Sequence, residues 1–210
     1  MLKLYDFTEA PSPRRARMFL AEKELEYENI QVDLGNKVQM EASYRAINPR
    51  CTVPALVTDD GEIFTENAGI SAYLENKHPT PSLLGSDALS QAKIAQWNWR
   101  CEFDGLSAVA EALRNKSPRM KGRAMTGVHD VEQIPELVER GRMRAGWFLD
   151  TLNEQLSSNQ YVAGDVYSVA DITATVTVDF AEWIKVFPND SHTALKEWHG
   201  RMKLRDNYSA

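Results

Sequence analysis

Three short stretches of the chain carry side chains able to do chemistry. The first, Thr8-Glu9-Ala10-Pro11-Ser12-Pro13, offers two hydroxyls directly ahead of Arg14, Arg15 and Arg17. Ser12 reads as a helix N-cap with Pro13 at the first helical position. A hydroxyl has one donor and two acceptor sites, so the same side chain can cap a helix and point its proton at an anion. An anion held there would be stabilised, because a hydrogen bond to the charged form favours it. Arginines in a first helical turn oppose the helix dipole, which fits either an anion host or a solvated face. The second stretch is Thr52-Val53-Pro54, just ahead of an apolar run. A proline at a strand start removes a ladder donor, and its plainest role is to end a loop. The third is Thr65-Glu66-Asn67, at a helix start where free backbone donors favour a carboxylate guest. Ordinary helix-start chemistry, with Thr65 as cap and Glu66 complementing the dipole, accounts for the same residues.

Other chemistry lacks its residues. Cys51 and Cys101 are fifty positions apart with no CxxC and no Cys/His cluster, so a disulfide scaffold, a dithiol motif and a metal site are all unsupported. Arg114, Lys116, Arg119, Lys121 and Arg123 form a basic run that leads into a long connection over 117–133, which also holds His129. That run reads either as a recognition patch for an anionic ligand or, more commonly for such runs, as a floppy solvated loop. A lone histidine there is more often incidental than catalytic.

Around the three stretches the first part of the chain alternates. Residues 2–7 read as a strand, 13–23 as a helix with Ala16, Phe19 and Leu20 on one face, and 27–32 as a second strand. A weaker helix covers about 37–46. Residues 55–58 and 62–64 then flank Asp59-Asp60-Gly61, a hairpin tripeptide, and Ile70, Tyr73 and Leu74 mark a last helix ending near His78. The order is βαβαββα, a parallel βαβ unit followed by a hairpin. Pro79-Thr80-Pro81-Ser82 breaks the pattern. The division is therefore 1–78 as an α/β domain, 79–86 as linker and 87–210 as an all-helical domain.

Helical spacing dominates past the linker, with Ile94, Trp97 and Cys101, and later a long run from Ile134 to Leu156. Trp97, Trp99 and Phe103 read as core or interface first and pocket walls second. Ile172, Ala174, Val176, Val178 and Phe180 alternate with polar residues in strand fashion. Ser168-Val169-Ala170-Asp171 overrules that period: it is a capping box, with Tyr167 and Ile172 placed as a hydrophobic staple, and burial on most sides explains the apolar crowding.

The ordered set of Asn48-Pro49, Val53-Pro54-Ala55-Leu56, Thr65-Glu66-Asn67 and Tyr161-Val162-Ala163-Gly164-Asp165 leading into Ser168-Val169-Ala170-Asp171 resembles a cytosolic glutathione transferase. The likeness covers essentially the whole chain, and Arg14-Arg15-Ala16-Arg17 followed by Leu20-Ala21-Glu22-Lys23 is similar to the first helix of bacterial members. It implies a thioredoxin-like N-terminal domain and an all-helical C-terminal bundle. It implies a cis Val53-Pro54 bond whose Val53 N–H and C=O pair with glutathione by strand addition. Glu66 would take the ammonium and Asn67, in place of the usual Ser, the carboxylate of the γ-glutamyl end. Gln39 and Thr52 stand where the family has contacts to the glycyl carboxylate, here neutral ones. Ser12 is the candidate catalytic hydroxyl, with Thr8, loop amides or the arginine cluster as alternatives. No cysteine occupies that loop, so the cysteine classes are disfavoured.

The implied activity is attack of an enzyme-stabilised glutathione thiolate on an apolar electrophile or a glutathionyl disulfide, as in detoxification, with glutathione as co-substrate and no metal. A homodimer is the implied assembly. A non-catalytic interaction or stress-regulatory protein reusing the fold is the rival, since fold does not decide function. The 210 residues carry 24 Lys+Arg against 30 Asp+Glu. A net charge of -6 argues against general nucleic-acid or anionic-membrane binding. The charged first twenty residues leave no room for a signal peptide, nowhere do eighteen apolar residues run together, and a cytoplasmic location is expected.

Overall fold

The computed structural model describes all of residues 1–210 and contains two compact units. The first comprises Met1–Pro81 together with Met125–His129 and Ser209–Ala210; the second comprises Ser82–Ala124 and Asp130–Tyr208. Two short segments from the part read as helical domain thus belong with the α/β unit.

In the first unit β1 (Leu2–Asp6), α1 (Pro11–Glu22) and β2 (Tyr27–Gln31) form the parallel crossover. A 3-10 turn (Val38–Met40) and the one-turn α2 (Ala42–Arg45) follow, where a single weak helix was expected. The hairpin β3 (Ala55–Val57) and β4 (Ile63–Phe64) and then α3 (Asn67–Lys77) complete the order βαβαββα predicted from the pattern. The hairpin turns on Gly61 at φ +87, a conformation that costs glycine nothing. The sheet order is β2-β1-β3-β4, with Tyr5 opposite Ala55 and Leu56 opposite Phe64. Leu4, Phe19, Leu20, Leu56, Ile70 and Leu74 are fully buried and form its core, with α1 packed on α3.

This register sets the position of every candidate residue. β1 runs parallel to β2 and antiparallel to β3, and β3 is antiparallel to β4. The chain therefore leaves β1, leaves β2, enters β3 and leaves β4 at one end of the sheet. Residues 7–12, 32–41, 52–54 and 65–67 all emerge there.

α1 begins earlier than predicted. Pro11, not Pro13, takes the first helical position, and the N-cap is Ala10, which supplies no side-chain bond. A proline at that point is pre-organised for the helix, and a second one two residues later still lies where the N–H has no intrahelical partner. Ser12 is thus inside the first turn and does not cap it. At α3 the N-cap is Glu66 rather than Thr65, and again no side chain caps the backbone. Both helices present bare N-termini.

The second unit is helical: α4 (Ala88–Arg100), a π-helical stretch (Cys101–Leu106), α5 (Ser107–Lys116), α6 (Glu136–Leu156), α7 (Val169–Ala181) and α8 (Thr193–Lys203). Residues 172–180 are helix, as the capping box required. Ser168 Oγ accepts from Ala170 N–H at 3.3 Å, and Asp171 Oδ2 accepts from the Ser168 N–H at 3.1 Å. The other carboxylate oxygen accepts from Val162 N–H and Trp198 Nε1, each at 3.0 Å. Burial dominates over these bonds and lifts the Asp171 pKa to about 6. The π-helical stretch lets Gly105 approach closely; a Cβ there would lie 2.8 Å from Phe148 and Thr177. Trp97 is buried, whereas Trp99 and Phe103 are exposed and stacked at 5.6 Å.

The connection 117–133 is anchored where it meets the flanking helices. Gln133 Nε2 donates to the carbonyls of Arg114 and Ser117, both at 2.7 Å, and Ile134 N–H donates to Asn115 Oδ1 at 2.8 Å. Arg114 is half-buried, and desolvation lowers its pKa, while His129 is exposed.

Candidate glutathione site

The two bare helix starts meet through one side-chain contact. Asn67 Nδ2 donates to Ser12 Oγ at 3.0 Å and to the Ser12 carbonyl at 3.1 Å. Arg15 Nη2 donates to the same Oγ at 3.3 Å. The serine oxygen accepts twice, so its own proton is left to donate outward. Because Pro11 and Pro13 have no N–H, Ser12 N–H is the sole main-chain donor among the first three residues of α1. At α3 the N–H groups of Asn67, Ala68 and Gly69 precede the first intrahelical bond, from Ile70 N–H to Glu66 O. Two positive dipole ends and four amide donors therefore converge on Ser12 and Asn67.

The Asn67 amide, which the resemblance assigns to a ligand carboxylate, faces Ser12 instead, leaving the Asn67 N–H for an anion. Glu66 is exposed, with Arg50 Nε at 3.5 Å. The Val53-Pro54 bond is cis, and Val53 N–H and C=O make no hydrogen bond within the chain. The peptide ahead of it is fixed: the Thr52 carbonyl accepts from Tyr44 Oη at 2.6 Å and from Asn48 Nδ2 at 2.7 Å, and Asn48 Nδ2 also reaches Thr52 Oγ1 at 3.0 Å. Burial pushes the Tyr44 pKa up to about 12, so it stays a donor. Gln39 is buried in the 3-10 turn with its Oε1 unpartnered.

A buried polar network stands behind the β1–α1 loop. Asp6 continues the buried face of β1 after Leu2 and Leu4 and is fully buried. Its Oδ1 meets Arg17 Nη1 at 2.5 Å, while its Oδ2 accepts from Asn29 Nδ2 and Gln31 Nε2, each at 3.0 Å. Arg17 Nη2 donates to the Thr8 carbonyl at 3.0 Å. Arg15 and Arg17 are thus buried rather than part of a solvated face. Sequence reading gave no site role to Asp6, Asn29, Gln31 or Tyr44 and took Asn48 only as part of a motif. The one available signal was an acid on the apolar side of an alternating strand, which demands a buried cation.

Known proteins resemble this chain along almost its whole length. Family models match residues 11–77 as a glutathione S-transferase N-terminal domain and residues 116–206 as a glutathione S-transferase C-terminal domain. Glutathione S-transferase 2 of Saccharomyces cerevisiae is 29% identical over 204 residues, 96% of this chain and 85% of the yeast one. The disulfide-bond oxidoreductase YfcG of Escherichia coli is 28% identical, with 98% and 91% covered. The crystal structure of a glutathione S-transferase domain-containing protein from Marinobacter aquaeolei matches with a TM-score of 0.90 at 31% identity, covering 98% of this chain and 99% of that one. With both of its units matched in order, the chain belongs to the glutathione S-transferase family.

Proposed function

We propose that this chain is a glutathione transferase that binds glutathione at the sheet end described above and stabilises its thiolate with Ser12. The observation that carries the reading is the convergence of two uncapped helix N-termini at Ser12 and Asn67. Such a pair suits a ligand bearing two anionic groups, and glutathione offers a γ-glutamyl carboxylate for α3 and a thiolate for α1. The free Val53 N–H and C=O, after the cis bond to Pro54, suit the extended cysteinyl unit. Glu66 serves the ammonium, and Gln39 and Thr52 the glycyl end. The bound thiolate attacks an electrophile or the sulfur of a glutathionyl disulfide, with no covalent enzyme intermediate. The yeast and E. coli relatives bear names for a transferase and a disulfide-bond oxidoreductase, and the two chemistries share this first step.

The reading includes cytoplasmic detoxification by a homodimer, with domains at 1–78 and 87–210 and 79–86 as linker. No helix is long and apolar enough to cross a membrane, and no group of three metal-ligating side chains is assembled. The test is titration calorimetry with glutathione on wild type and Glu66→Gln. A charge-assisted contact is worth about 1.5–3 kcal/mol, so affinity should fall roughly ten- to a hundredfold. Stability should barely change, because the Arg50 pair is exposed. Equal affinities would remove Glu66 from the site; no binding by wild type would favour the non-catalytic interaction protein.

A further inference from the structure

The network behind the β1–α1 loop has a direction. Asp6 pairs with Arg17, and a carboxylate in such a pair can only accept hydrogen bonds. The Gln31 amide must therefore turn its NH2 toward Asp6 Oδ2, and the same NH2 reaches Asn29 Oδ1 at 2.7 Å. Its Oε1 is thereby forced to the other side, where it accepts from Thr8 N–H at 3.1 Å and from the Thr8 hydroxyl at 3.0 Å. With the Thr8 carbonyl taken by Arg17, all three polar groups of Thr8 are occupied. Ala10 N–H then closes the turn onto the Phe7 carbonyl at 2.8 Å, immediately ahead of α1. Two hydroxyls flank the α1 start, and the network leaves only one with a proton to give. Thr8 spends its proton on Gln31, whereas Ser12 accepts from Asn67 and Arg15 and keeps its own.

We propose that Gln31 is a positioning residue: oriented by the Asp6–Arg17 pair, it pins Thr8 and fixes the 7–12 segment so that Ser12, and not Thr8, presents its proton to the bound thiol. This rests on the glutathione reading above. Gln31 is itself exposed, at the end of an edge strand, and its replacement leaves Asp6 its Arg17 and Asn29 partners.

The experiment is a double-substitution cycle of Gln31→Ala and Thr8→Ala, with Thr8→Ser and Gln31→Glu as controls. The readouts are the pKa of bound glutathione, from thiolate absorbance against pH, and amide hydrogen exchange at Ala10. Gln31→Ala should raise the bound-thiol pKa by about one unit and speed Ala10 exchange by about tenfold or more, with a modest fall in the urea midpoint from the lost bond to Asp6 Oδ2. Thr8→Ala should raise the pKa in the wild-type background and add nothing in the Gln31→Ala background. Thr8→Ser, which keeps every bond, should behave as wild type. Gln31→Glu keeps an acceptor for Thr8 but sets a second carboxylate against Asp6 Oδ2, so the side chain should turn away from the network and Ala10 exchange should match that of Gln31→Ala.

A Thr8→Ala shift of equal size in both backgrounds would overturn the proposal, because Thr8 would then act on sulfur directly. So would wild-type titration and exchange in Gln31→Ala. If wild type binds no glutathione the functional reading itself fails; if it binds and only the Gln31 effects are absent, the positioning role alone fails.

Discussion

Replacing Ser12 by alanine separates its structural worth from its chemical one. The substitution strips the acceptor from Asn67 Nδ2 at 3.0 Å and from Arg15 Nη2 at 3.3 Å. Asn67 keeps the Ser12 carbonyl at 3.1 Å, and no capping bond is lost because Ala10 is the cap residue. Two part-buried hydrogen bonds, offset by the better helix propensity of alanine, amount to about 1 kcal/mol of stability. The chemical effect is larger. A hydrogen bond to a charged group contributes about 1.5–3 kcal/mol, and a pKa unit corresponds to 1.36 kcal/mol, so the bound thiol should titrate roughly one to two units higher. Turnover near pH 7 should fall about ten- to a hundredfold and recover as the pH rises past the new pKa. Thiolate absorbance of the glutathione-saturated protein against pH measures the shift, and urea denaturation measures the stability. An unchanged titration curve beside the expected small stability loss would refute the donor role and return activation to the Ser12 N–H and the helix dipole.

Three substitutions test the frame. Lys23→Met should cost about 3–5 kcal/mol in urea denaturation, because the buried ammonium gives its three protons to Glu75 and to the carbonyls of His78 and Pro81. Ser168→Ala should cost about 1–2 kcal/mol, as a buried capping hydroxyl bonded to Ala170 N–H and Asp171 is removed; an unchanged midpoint would count against the cap. Asp171, with its folded pKa raised from 3.8 to about 6, binds its proton more readily in the folded state, so its contribution is greatest below about pH 4 and is lost as pH rises through 6. Wild type should therefore gain roughly 1–1.5 kcal/mol over Asp171→Asn between about pH 7.5 and 5, and a pH-independent difference would show that the folded pKa is not raised.

Which features were legible in the sequence follows from the range over which their causes act. The βαβαββα order and the helix over 172–180 were legible because alternation, turn residues and the Ser168–Asp171 box are local signals. The start of α1 was misplaced by two residues because Pro11 and Pro13 satisfy the first helical position equally well on paper, and Phe7 and Ala10, which close the turn, carry no side-chain signal. The residues of the proposed site were readable as motifs, but the polar network behind them was not. Asp6, Arg17 and Gln31 lie on three separate elements, and only the parallel register that sets Asp6 opposite Gln31 makes them neighbours. Once that register is known, the chemistry follows in one direction. A carboxylate on the buried face requires Arg17, the carboxylate orients Gln31, and Gln31 claims the Thr8 proton. The serine whose oxygen is already twice occupied is left as the donor. In the proposed site the sheet behind the loop thus sets which hydroxyl proton is engaged within the chain, which is why a motif lists the hydroxyls without distinguishing them.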